Sequence, residues 1–132
     1  VSCLAEQAKI LNAEGEENNL GHKALDERWA RWYSCSLCKQ DHHSVVSCAL
    51  GWACWKTYVG RPETDMFRAN AMTQLGNGLS EAKQHEDALS VKEADLATLR
   101  RVGASEQSIL AAQNNLATSY GCVGRLEEAS RI

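Results

Sequence analysis

The segment from Phe67 to Ile132 matches itself when moved along by 41 residues, and few patterns restrict a fold more. Ala71 falls on Ala112, Gln74 on Asn115, Leu75 on Leu116 and the small Gly76 on the small Ala117. Leu79 falls on Tyr120, Glu86 on Glu127, Asp87 on Glu128 and Ala88 on Ala129. A period of this size marks a stacked array, in which each unit buries its apolar face against its neighbours.

The units of that array have to be helical. Ala, Leu, Glu, Gln, Lys and Arg dominate, with one proline and nine glycines as punctuation. The expected fold class is therefore all-α: an α-solenoid of antiparallel helix pairs, about three pairs with partial ends. The chain has 132 residues, one domain's worth. Its 14 basic and 17 acidic side chains leave a formal charge of -3, which gives no electrostatic reason to expect nucleic acid. The longest nearly uncharged run, Ser44 to Trp55, has 12 residues, against the ~20 that a membrane span needs. The start has neither the basic flank nor the apolar run of a signal peptide. Beginning at Val1 and ending as a new helix starts, the chain reads as a piece of a longer protein.

Taken in order, Ser2 to Ala13 predicts a helix that stops near Gly15, and Glu14 to Gly21 a polar connector. A second helix is expected from His22 to Lys39, on the spacing of Leu25, Trp29 and Trp32 or Tyr33. Ser44 is the expected N-cap of a third helix, Val45 to Val59. That helix is apolar on nearly every side, as an element held between neighbours would be. Gly60 and Pro62 end it. Thr64 is expected to cap a fourth helix, Asp65 to Ala82, with Gly76 at a close helix approach. A fifth helix runs from Glu86 to Val102 and ends at Gly103. A sixth starts at Ser105, and a seventh at Arg125. The expected segments are 1–21, the end of a preceding unit; 22–63, a divergent pair rich in tryptophan and cysteine; and 64–132, the clear repeats.

The columns resemble the tetratricopeptide repeat, a helix-turn-helix unit. Met72, Leu75-Gly76, Leu79 and Ala88 fill its pattern in one unit, and Gln113, Leu116-Ala117, Tyr120 and Ala129 in the next. The step of 41 exceeds the usual length of about 34. The longer unit is similar to the kinesin light chain type, on the strings AMTQLGNGLSEAKQHEDAL and AAQNNLATSYGCVGRLEEA. A shift of 42 extends the match back toward His22, placing Tyr33 on Leu75, His43 on His85 and Val46 on Ala88. The sequence departs from that family in two ways. Glu106-Gln107 stands where its inter-repeat loop has His-Pro, and Lys92 and Asp95 occupy second-helix positions that are usually apolar or small.

The resemblance implies that first helices line a concave groove that takes a peptide or helix of a partner protein. On that register the groove residues are Asn70, Thr73, Asn77 and Ser80 of the fourth helix. Those of the sixth are Ala111, Asn114, Thr118 and Gly121. Uncharged amides and hydroxyls suit hydrogen bonding to an extended backbone. The same residues also read as a solvated polar strip. Asn115 is expected to point at the neighbouring helix.

Six cysteines stand at 3, 35, 38, 48, 54 and 122. Free, reduced thiols are the first expectation, consistent with an intracellular, cytoplasmic protein. The alternatives are a disulfide or a zinc site of Cys35, Cys38, Cys48 and Cys54. Against zinc, both pairs fall in helical patterns with no knuckle turn between Cys35 and Cys38. The pairs Trp29/Trp32 and Trp52/Trp55 read as packing between helices, or as an exposed patch that docks into an assembly. No phosphate loop, nucleophile elbow or H-E-x-x-H motif is present, and no enzymatic role or cofactor is expected. Exposed solenoid ends would allow self-association.

Overall fold

The computed structural model describes residues 2–124, and all of its regular elements are helical. These are α1 (Ser2–Glu17), α2 (His22–Trp29) with a tight 3-10 turn over Ala30–Trp32, α3 (Ser44–Tyr58), α4 (Met66–Glu81), α5 (His85–Arg101) and α6 (Glu106–Cys122). The seventh helix expected from Arg125 lies outside the described residues.

Each helix packs on the next. α1 meets α2 and α3, α3 meets α4, α4 meets α5, and α5 meets α6. The pairing is antiparallel: Gly51 lies against Leu75 while Gly78 lies against Ser47 and Cys48. Lys92 likewise reaches Ser80 while Asp95 faces Thr73. The apolar interior is a series of three clusters. The first joins Ala8, Trp32, Leu50, Cys54, Tyr58, Phe67 and Ala71. The second joins Cys48, Leu75, Leu79 and Ala88, and the third Leu89, Leu96, Ala112 and Leu116. Trp55 packs against both of the first two. The repeat columns keep their burial: Ala71 and Ala112 are buried, as are Leu75 and Leu116.

Helix ends follow local chemistry. Asn19, Lys83 and Gly103 each take a left-handed conformation, φ 51°, 61° and 69°. In each case the next N–H donates back to a carbonyl five residues earlier: Leu20 to Gly15, Gln84 to Leu79 and Ala104 to Leu99. Helix α1 therefore runs through Gly15 to Glu17, and the left-handed Asn19 turns the chain just beyond it. Gly15 is buried inside it, with Leu25 and Arg28 of α2 packed over its Cα. Asp65, not Thr64, caps α4, accepting from the Arg68 N–H at 3.0 Å. Ser105 caps α6 as expected, accepting from Ser108 N–H at 3.2 Å. Ser44 is the first residue of α3 rather than its cap, and His43 before it makes no side-chain cap bond. Gly60 keeps an ordinary φ; Arg61 N–H donates to Tyr58 O, a tight turn that Pro62 follows.

The largest departure is the second helix, which stops at Trp32 instead of Lys39. Trp32 is completely buried, and the rings of Trp29, Tyr58 and Phe67 gather with it, Trp29 lying 5.4 Å from Tyr58 and 5.6 Å from Phe67. Beyond it the backbone turns into a small hairpin. Ser34 bridges Asp41, Cys35 N–H donates to Gln40 O, and His42 N–H to Tyr33 O. Cys35 to Lys39 forms its tip, with Lys39 at φ 62°. Helix propensity over residues 33–39 is thus overridden by anchoring of the tryptophans in the first cluster. Helix α3, too, is covered on only part of its surface: Val45, Trp52 and Val59 are 75%, 43% and 40% exposed.

Candidate functional site

The residues Asn70, Thr73, Asn77 and Ser80 recur at three- and four-residue steps and so share one face of α4. Asn70, Thr73 and Asn77 are exposed and Ser80 is half-buried. The face opens into two clefts. One, of about 350 Å³, lies toward α6 and is lined by Met66, Ala69, Asn70, Thr73, Asp95, Leu99, Ser108, Ala111, Ala112 and Asn115. The other, of about 520 Å³, lies toward the hairpin and is lined by Tyr33, Asp41, His42, Ser47, Gln74, Asn77, Ser80 and Glu81.

The four expected α4 residues are therefore brought together, while the expected α6 residues divide. Ala111 lines the first cleft. Asn114 and Thr118 are exposed and line neither; the Thr118 hydroxyl donates to Asn114 O within its own helix. Asn115 takes the place expected for Asn114. It is exposed on the cleft, whereas its repeat equivalent Gln74 is buried between α3 and α4. Ala112, Leu116 and Ser119 are buried on α6 as their equivalents Ala71, Leu75 and Gly78 are on α4, so the two helices turn the same face inward.

Asp95 is the residue that the groove pattern did not include. It lines the first cleft and also a separate apolar crevice of about 270 Å³ formed with Trp55, Arg68, Met72, Leu99 and Val102. Thr73 Oγ1 lies 3.4 Å from its carboxylate. Burial pushes the Asp95 carboxyl above its ordinary range, and the threonine hydroxyl pulls it partly back. Its signal in the sequence was an acid at a position otherwise apolar or small. Lys92, the companion oddity, is half-buried with its stem over Gly76 and its Nζ donating to Ser80 Oγ at 3.2 Å. Burial lowers its pKa.

The hairpin cleft carries different chemistry. His43 Nδ1 pairs with Glu81 at 3.2 Å, an exposed contact across 38 residues of chain. His42 Nε2 is enclosed and makes no hydrogen bond. Tyr33, Asp41 and His42 reach the cleft only because the chain leaves the helix after Trp32. They were hidden in the sequence by an unbroken helical pattern.

The four cysteines of the zinc alternative do not converge. Cys35 and Cys38 sit on the hairpin tip, and Cys48 and Cys54 are buried in two different clusters of α3. Among the described residues no group of three or more His, Cys, Asp or Glu comes together as a metal site. All six cysteines are free. Among the described residues no helix is long and apolar enough to cross a membrane. Comparison with protein-family models, with curated proteins and with solved structures returns no match.

Proposed function

We propose that the chain is a protein-interaction module of tetratricopeptide type, an α-solenoid without catalytic role or cofactor, that takes an extended peptide of a partner protein along the polar face of α4. The observation that carries this is the open strip of Asn70, Thr73, Asn77 and Ser80 between two clefts. Asn supplies both a donor and an acceptor, which matches an extended backbone whose own N–H and C=O alternate. The clusters in series, rather than one central core, support the solenoid. The free thiols support an intracellular, cytoplasmic setting. Selection of binders from a random peptide library, followed by anisotropy titration, tests the groove. Asn70→Ala with Asn77→Ala should weaken the selected peptide roughly tenfold, the equivalent of ~1.4 kcal/mol. Unchanged affinity would sink the groove assignment.

A second reading rests on the stripe of α3. Val45, Trp52 and Val59, seven residues apart, stay exposed on an apolar helix. Such a stripe suits a fixed subunit docked into a larger assembly, or self-association of the chain. Trp52→Ala that abolishes recovery of a partner, with the asparagine double variant binding normally, would favour it.

A further inference from the structure

Cys35 and Cys38 carry chemistry that the groove does not use. Both lie on the hairpin tip, Cys38 exposed and Cys35 half-buried, with Leu37 between them 91% exposed. Cys35 O accepts from Lys39 N–H at 3.1 Å, closing one α-turn. Such a turn brings residues three apart within the ~7 Å of Cα separation that a disulfide can span. Leu37 N–H points at Cys35 Sγ, 3.4 Å away. We propose that Cys35 and Cys38 form a thiol–disulfide exchange site, in which Cys35 is the attacking thiol, Cys38 the resolving thiol, and the product an intramolecular disulfide across the hairpin tip.

The roles follow from the surroundings of each sulfur. Cys35 is held below its ordinary pKa by the Cys38 N–H, the Leu37 N–H and the Cys38 thiol, with Arg31 adding a positive charge nearby. Hydrogen bonds and charge of this kind stabilise the thiolate, the form that attacks. Cys54 is the internal contrast: burial alone drives its thiol far upward, and it stays inert in the core. In the reaction, the Cys35 thiolate attacks one sulfur of a small disulfide such as glutathione disulfide. That S–S bond breaks, a mixed disulfide forms on Cys35, and one glutathione leaves. The Cys38 thiolate then attacks Cys35 Sγ and the second glutathione leaves. Two electrons pass from the two cysteines to glutathione disulfide, and the two cysteine protons end on the two released thiols. The disulfide closes the loop between the Ser34 and Asp41 bridge partners, next to the residues Tyr33 and His42 that line the larger cleft. None of this depends on the cleft holding a peptide.

The test is a competition within one molecule. The reduced chain is incubated with glutathione disulfide at neutral pH, quenched with acid, digested and mapped by mass spectrometry. Cys3, Cys38 and Cys122 are more exposed than Cys35. If exposure alone governed, they would react first. The expected result is that the peptide holding residues 35–38 loses two hydrogens on the order of tenfold faster than Cys3 or Cys122 acquires glutathione. Cys38→Ser should instead trap glutathione on Cys35. The proposal is overturned if adducts follow exposure, or if Cys35 and Cys38 each carry glutathione without closing.

Discussion

Against α3, helix α4 presents bare backbone at its glycines; against α5 it adds polar and flexible side chains to the apolar pair Leu75 and Leu79. A methyl group on Gly78 would lie 2.6 Å from Ser47 O, and one on Gly51 would lie 3.1 Å from Gln74 O. The α3–α4 pair is thus set by backbone sterics at two glycines. Two residues from Gly78, Gly76 faces the Lys92 stem at 3.3 Å, a neighbour that can move. Above and below it, Lys92 reaches Ser80 and Thr73 faces Asp95. The first interface brings backbone against backbone, while the second is padded by side chains that can move. A helix of one composition can therefore hold the fold with one side and offer chemistry with the other.

The sharpest way to break this contrast is Gly78→Ala. It should cost about 3 kcal/mol, as overpacking against backbone has no flexible neighbour to absorb it. The loss is read as a lower urea midpoint with an unchanged slope. A stability within error of the native chain would mean that α3 and α4 are not so close. Gly51→Ala comes next, at roughly 1–2 kcal/mol, because its nearest contacts are longer. Gly76→Ala should be neutral or stabilising by up to ~1 kcal/mol, since helix propensity improves and Lys92 can shift. Equal losses from the alanines at 76 and 78 would erase the distinction between the two sides.

The Asp95 carboxyl sharpens the polar side. Its folded pKa is raised, so between the unfolded value and the folded value the native state holds more protons than the unfolded chain. Stability then falls as pH rises through that window. Asp95→Asn should remove this part of the pH dependence and raise the melting temperature at neutral pH but not at pH values below the unfolded carboxyl range. A parallel pair of melting curves at all pH values would contradict it. The smallest effect is expected at the rim, where Glu63 bridges Arg101 at 2.7 Å with both side chains well exposed. Glu63→Gln should leave the urea midpoint within error of the native chain, because solvent screens an exposed ion pair.

The repeat columns were legible because they record burial. Leu75 and Leu116, Ala71 and Ala112 each occupy the core side of their helices, and helices α3 to α6 lie within a few residues of where the pattern puts them. The α4 face was legible for the same reason: once the apolar stripe is placed, the polar one is its complement. The close approach was assigned to the wrong glycine. Gly76 is repeated as the small Ala117, which made it stand out, but the contact belongs to Gly78, whose equivalent is Ser119. Periodicity finds what recurs, and the α3–α4 contact does not recur.

Local sequence alone determined that this chain is helical, where most of its turns fall, and which residues turn inward, because propensity, capping and amphipathic spacing act over a few residues. Tertiary structure decided the rest. It ended the second helix at Trp32, because burying four aromatic rings together outweighs continuing a helix through Lys39. That stop made a hairpin of residues expected to be helical, put Cys35 and Cys38 on its tip, and turned His42 into the cleft. It also placed Asn115 rather than Asn114 on the cleft beside α4. Each of these outcomes depends on which surfaces far apart in the chain fit each other, and no short-range pattern records that fit.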